Sequence, residues 1–168
     1  MFVRVRLGAR VLPVAVLVSG TTALAAPAAH ADNKRLNSAV VSAVYTLQHQ
    51  AGCTNDIARD NALTLAAEWH ADDMINNRNI NDDNGSDGST PQDRANAAGF
   101  RGKAAETVAI NPAIAISSLE LVNQWYYNPN DMAIIRDCAN TAMGVWSDNS
   151  LDRTVVVAMY GQPAPRNR

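Results

Sequence analysis

The stretch from Asn81 to Val108, NDDNGSDGSTPQDRANAAGFRGKAAETV, constrains the fold more than any other part of the chain. It combines a polar loop, a short helix whose two ends are both written in the residues, and an extended segment that carries Glu106. Thr90 is placed to accept from a free backbone N–H as N-cap, Pro91 suits the first helical position where no N–H is needed, and Asp93 completes a capping-box spacing. Gly99 then predicts the helix stop. The side chains of Asn81, Asp82, Asp83, Asn84 and Asp87 cannot all be buried, so the loop must lie at the surface or line a wet cleft.

Upstream, Arg4, Arg6 and Arg10 precede an apolar run from Val11 to Ala26 and a small-residue site at Ala29-His30-Ala31. This pattern predicts a secretory signal peptide over residues 1–31 and a single domain over 32–168. The run is short and interrupted by Pro13, Gly20 and threonines, which makes an uncleaved membrane anchor the weaker alternative. After cleavage, 11 of the 14 basic residues face all 16 acidic ones, a formal charge of −5. Such a surface opposes nucleic-acid binding, which needs basic groups to displace counterions from phosphates. Cys53 and Cys138 both lie in the exported part, where an even count reads first as a disulfide, with two free thiols as the alternative. Closing a loop of 85 residues would stabilise the fold by about 4 to 5 kcal/mol on chain-entropy grounds.

The remaining periodicities outline the layers. Val40, Val44, Leu47 and Ala51 recur at helical spacing from Leu36 to Ala51, ahead of Gly52. A second helix is expected from about Asp56 to Ile75, with Leu63, Ala66, Ala67, Trp69, His70 and Met74 on one apolar face. His70 reads there as a core histidine satisfied by a carbonyl or a carboxylate, because no second metal ligand stands at i+4. Asn111 and Pro112 mark a third helix, ending near Asn128, that places Ile114, Ser118, Leu121, Val122, Trp125 and Tyr126 on its inner face. A short helical turn follows at Met132 to Arg136. Strands over Ala142–Trp146 and Arg153–Tyr160 flank a turn at Asp148-Asn149-Ser150, and with the Glu106–Ile110 segment they give three strands. The expected class is α+β, a three-layer α/β/α sandwich around a small antiparallel sheet.

Taken together, AAEWHADDM, DGSTPQDRANAAGF and NQWYYNPNDMAII resemble the bacterial secreted SCP-like domains of the CAP superfamily, from about Asp56 to Gln162. The resemblance implies the same sandwich and a central cleft in which metal-binding members use two histidines supported by acids. In this chain the first histidine position falls on Asp83, or on Asp82, and the second on Asp131. The family glutamate is kept as Glu106, followed by Thr107 instead of Asn. Imidazoles suit zinc, whereas carboxylates suit calcium or magnesium. Asp83, Glu106 and Asp131 are therefore candidates for lining a ligand cleft and only weak ones for a hard cation. No cofactor is required, and a zinc site is not expected. An EF-hand reading of the loop fails, because Arg94 stands where a bidentate Glu is needed.

No residue stands out as catalytic, since only His49 and His70 remain after the leader and both are unsuited, one near a helix end and one in a core face. The expectation is a secreted, monomeric binding or interaction module for an extracellular ligand or protein, with no transmembrane segment after cleavage. An extracellular hydrolase using the cleft carboxylates is the alternative, followed by a small-molecule or lipid binder in an apolar groove beside the Trp125 helix. On this reading the exported protein begins at Asp32 and carries one intramolecular disulfide. Intact mass before and after reduction and alkylation checks both: retention of residues 11–26, or thiols alkylated without reduction, would contradict the respective half.

Overall fold

A computed structural model describes residues 30–112 and 115–165. The signal-peptide expectation falls mostly on residues 1–29, outside the described residues, as does Ile114. The elements in order are α1 (His30–Gln50), β1 (Ala58–Arg59), α2 (Asn61–Asn76), α3 (Pro91–Ala97), β2 (Gly102–Asn111), α4 (Ser118–Tyr126), α5 (Pro129–Ile135), β3 (Ala142–Ser150) and β4 (Arg153–Pro163). Among the described residues no helix is long and apolar enough to cross a membrane.

The strands form one sheet in the order β1-β3-β4-β2. β4 pairs antiparallel with β2 and β3, and β1 adds a parallel edge to β3. The β-branched run that begins at Thr154 becomes the central strand, and its side-chain alternation divides the core in two. Val155, Val157 and Met159 face Leu63, Ala66, Ala67, Ala71 and Met74 of α2 and Ala95 of α3. Val156, Ala158 and Tyr160 face Val40 and Val44 of α1, Leu121 and Trp125 of α4, and Met132 and Ile135 of α5. Helices therefore cover both faces of the sheet, giving the expected α/β/α sandwich. On the first face α2 sits so low that a Cβ at Gly144 of β3 would collide with the backbone of Leu63 and Thr64. Cys53, just past α1, is joined to Cys138, just before β3, with a Cα–Cα distance of 5.2 Å.

Several boundaries differ from the sequence reading, each for a local reason. α2 begins at Asn61 and not near Asp56, because the residues before it are drawn into an edge strand: the Ala58 N–H donates to Thr141 O and the Asp60 N–H to Met143 O, both at 2.8 Å. Asp60 then caps the helix by accepting from the Leu63 N–H. The third helix begins at Ser118 under a Ser117 cap, since β2 continues to Asn111 and pairs it with Thr154. The hairpin turn lies at Leu151-Asp152, as Ser150 pairs with Arg153. The residues taken for the turn stay in β3 because polar side chains of that strand bind α1: Asn149 Nδ2 donates to Asn33 Oδ1 at 2.6 Å and Ser147 Oγ to Asn37 Oδ1 at 2.7 Å. Trp69 and Tyr126, assigned to apolar faces, are exposed at their helix flanks, at 41% and 47%.

Candidate functional site

The site is assembled from the short helix inward. Thr90 accepts from the Asp93 N–H and Asp93 Oδ2 accepts from the Thr90 N–H, so the capping box fixes where α3 starts. Gly99, at φ +97°, fixes where it stops. Between them, Arg94 is 5% exposed and reaches into the space between α2 and β2. There Glu106, 1% exposed, points to the α2 side of the sheet, since its register partner is Met159. Arg94 Nη2 lies 3.0 Å from both Glu106 carboxylate oxygens. The same guanidinium donates to Asp83 O at 2.8 Å and to Ser89 O at 2.7 Å, which ties both ends of the acidic loop to the sheet.

His70 completes the cluster from α2, fully buried, with Nδ1 2.7 Å from Glu106 Oε1. At that distance from a carboxylate, Nδ1 carries the proton and donates it. Arg94 Nη2 also lies 3.2 Å from Nδ1, a contact and not a second hydrogen bond, because both atoms then bear hydrogens. The expected core histidine satisfied by a carboxylate is thus what the structure shows.

The loop above is held by its own carboxylates. Asp73 of α2 accepts from the Ser86 N–H and Ser86 Oγ at 2.7 Å each, and from Asn77. Partial burial works against its charge, yet these donors hold it below the usual carboxylate range. Asp87 accepts from the Ser89 N–H and Asp93 from Thr90, and both are likewise held low.

The three carboxylates singled out from the sequence are placed as follows. Glu106 is committed in the interior to Arg94 and His70, a partnership the sequence reading did not include. Asp83 is an exposed loop residue whose carboxyl is pushed upward by desolvation and then by the Glu106 charge. Asp131, half-buried in the first turn of α5, is pushed up to about 6 by desolvation and then by the Asp83 charge. The three therefore share one electrostatic field without being equivalent ligands. Among the described residues no group of three or more His, Cys, Asp and Glu side chains is arranged to hold a metal ion. Thr107, standing in place of the family Asn, turns to the opposite face and meets Tyr160 Oη at 3.1 Å. Trp125 is fully buried and donates Nε1–H to Val108 O, while the apolar groups exposed along α4 are Leu119 and Tyr126, with Tyr127 just beyond.

Arg94 is the residue that sequence reasoning missed as a site component. Its signal was indirect: a lone arginine one residue after the capping-box Asp, ahead of a Glu in a strand that needed a buried partner. Arg94→Ala leaves the Glu106 charge buried without its guanidinium and is expected to lower stability by about 3 kcal/mol or more, whereas adding Glu106→Gln, which removes the charge and keeps an oxygen to accept from His70 Nδ1, recovers part of it. Denaturant unfolding of the three proteins measures this. Asp131 gives a pH test. Its raised pKa means that the folded state holds the proton more tightly, so ionisation destabilises: the effect is absent below about 3.8, grows as pH rises, and is complete above about 6. Asp131→Asn is therefore expected to raise Tm near pH 7.5 and to leave it unchanged near pH 3.5. The gain is roughly 1 kcal/mol or less after solvent screening.

Residues 32–160 match the CAP family, described as the cysteine-rich secretory protein family. A comparison with curated proteins returns no match. Among solved structures, the chain is similar to an outer surface protein from Borrelia burgdorferi, with a TM-score of 0.67 at 19% identity, covering 78% of this chain and 95% of that one. It is similar to an extracellular SCP-domain protein from Bacillus anthracis, with a TM-score of 0.60 at 16% identity, covering 82% of this chain and 45% of that one. It also resembles hookworm platelet inhibitor, with a TM-score of 0.51 at 15% identity, over 80% and 73% of the two chains. These identities speak to the fold alone, and with the match over residues 32–160 they establish that the chain belongs to the CAP family of cysteine-rich secretory proteins.

Proposed function

We propose that this domain is an extracellular binding or interaction module whose acidic mouth, Asp83 and Asp131, opens above a closed Arg94–Glu106–His70 cluster. The commitment of Glu106 carries this reading: a carboxylate held by a guanidinium and an imidazole within 3.0 Å supports the scaffold and is not available to activate water. No free thiol is present among the described residues. Cys53 and Cys138 form a disulfide, and His49 Nδ1 lies 3.0 Å from Tyr45 O of its own helix. The extracellular setting is supported by the leader-like sequence at residues 1–31 and by the extracellular relative from Bacillus anthracis.

An acidic mouth attracts a hard cation or a cationic group on a partner, not zinc in preference to other ions. Calorimetry with zinc, calcium and magnesium on residues 32–168, repeated on Asp131→Asn, tests this. Zinc is expected to bind no tighter than about micromolar, on the order of 8 kcal/mol, and any weak calcium binding is expected to be lost in Asp131→Asn. A tight one-to-one zinc site would overturn the reading. One observation favours hydrolysis as a second reading: a carboxyl raised to about 6, as at Asp131, exchanges protons near neutral pH. Turnover of peptide, ester or glycoside substrates that disappears in Asp131→Asn would establish it in place of the binding role.

A further inference from the structure

The acidic loop holds the one asparagine of the chain that is followed by glycine, Asn84-Gly85, and the one aspartate so placed, Asp87-Gly88. A following glycine leaves the backbone free to bring its nitrogen onto the preceding side-chain carbonyl, so these two bonds are the most open to closure of a succinimide ring. The structure treats them differently. Asp87 is protected twice: the Gly88 N–H donates to Gly85 O at 2.9 Å, and Asp87 Oδ1 accepts from the Ser89 N–H at 2.9 Å. The hydrogen bonds of Ser89 also hold its carboxyl below the usual range, so the neutral acid that ring closure requires is scarce. At Asn84 only the attacking atom is held. The Gly85 N–H donates to Ser89 O at 2.9 Å, whereas Asn84 is exposed and its side chain makes no hydrogen bond to the described residues. Ser89 O is also the carbonyl that Arg94 Nη1 holds at 2.7 Å, and Arg94 Nη2 holds Asp83 O, one residue before Asn84, at 2.8 Å. Asp73 pins the other side through the Ser86 N–H and Oγ. A Cβ at Gly85 would lie 2.7 Å from Ser89 Oγ and 2.8 Å from Asp87 Oδ1, so the closed loop itself calls for the glycine that exposes Asn84 to attack.

We propose that Asn84 is a self-modification site whose rate is set by opening of the loop that Arg94 clamps. The reaction needs only water. Once the Gly85 N–H leaves Ser89 O, its nitrogen gives up the proton and attacks Asn84 Cγ. The N–Cγ bond forms, the Cγ–Nδ2 bond breaks, and Nδ2 departs as ammonia with that proton. Water then opens the succinimide at either carbonyl and leaves aspartate or isoaspartate at position 84, with nothing oxidised or reduced. Each product adds a negative charge beside Asp82 and Asp83. Isoaspartate also inserts a methylene into the main chain between the two carbonyls that Arg94 holds. A nitrogen whose N–H is bound, in a segment pinned by Arg94 and Asp73, reacts only from the locally open state, so the opening equilibrium lowers its rate. The site stands apart from what the Asp83–Asp131 mouth binds, and its failure would leave the reading of that mouth unchanged.

Residues 32–168 are to be incubated at mildly alkaline pH, both native and unfolded in guanidinium chloride. Peptide mapping by mass spectrometry and isoaspartate-specific methylation follow the products. Conversion is expected at Asn84 ahead of every other asparagine, as a mixture of aspartate and isoaspartate, and about tenfold or more slower in the native protein than in the unfolded chain. Asp73→Ala frees Ser86, and Arg94→Lys keeps a cation at Glu106 but lacks the fork that spans both loop carbonyls. Each is expected to quicken the native reaction by about threefold or more, with a matching rise in hydrogen exchange at the Gly85 amide. Native conversion as fast as in the unfolded chain, conversion first at another asparagine, or variant rates equal to that of the wild type would overturn the proposal. So would no conversion of native Asn84 after about a hundred times the period that the unfolded chain needs. The comparison of native with unfolded wild type needs no variant, so a variant that fails to fold does not remove the test.

Discussion

The Arg94–Glu106 pair is the constraint on which the surrounding structure depends. Both side chains are withdrawn from water, and two buried charges are tolerated only when geometry and extra hydrogen bonds offset the desolvation of each. Glu106 meets that condition through Arg94 and His70, and Arg94 through two loop carbonyls. The pair thereby links three elements, α2 through His70, α3 through Arg94 and β2 through Glu106, and adds to the packing of Ala95 against α2 and to the hydrogen bonds of Gln92 with Gly102 and Ala104. The acidic loop inherits its shape from the same source. With Asp83 O and Ser89 O both held by one guanidinium, its path is closed, and the turn at Gly88, φ +80°, completes it.

That arrangement explains why acids can occupy positions where the family resemblance leads one to expect imidazoles. At the mouth, after desolvation, the Glu106 charge acts on Asp83 and the Asp83 charge acts on Asp131. Desolvation and, after it, that repulsion raise the Asp131 carboxyl. The repulsion falls on a partly solvated site, where water screens it, and not in the core. What the mouth offers chemically is carboxylate oxygen and, at Asp131, a carboxyl pushed up to about 6.

Much of this was legible in the residues, and the failures have physical causes. Thr90, Pro91, Asp93 and Gly99 specify α3 by local hydrogen bonds alone, so their reading survives intact in the structure. The β-branched run at Thr154 to Val157 announces a strand whatever surrounds it. Asp148, Asn149 and Ser150 misled because turn propensity assumes side chains that bond their own backbone, whereas Ser147 and Asn149 bond α1, more than 100 residues away. β1 carries no pattern at all, being two exposed residues pulled into pairing by β3. Trp69 and Tyr126 were assigned to faces by hydrophobicity, which cannot separate a core aromatic from one at a helix flank. The site was partly legible for the same reason: the family positions could be counted, but the partner of Glu106 lies in a different element and is set by tertiary packing.

The two sides of this cluster differ in what their charges leave unmet. At the Asp83–Asp131 mouth the surplus is negative charge, which any cation or proton can answer and which water already answers in part. On the side of α2 and α3 the carboxylates of Asp73, Asp87 and Asp93 are satisfied by Ser86, Ser89 and Thr90, and the two nitrogens left unpaired, His70 Nε2 and Arg94 Nε, are sealed beneath the surface. Diffuse charge of the kind at the mouth gives attraction with little selectivity. The unmet charge therefore sits at the mouth, where desolvation and the Asp83 charge raise the Asp131 carboxyl, and not beside α3, where donors hold Asp73, Asp87 and Asp93 low.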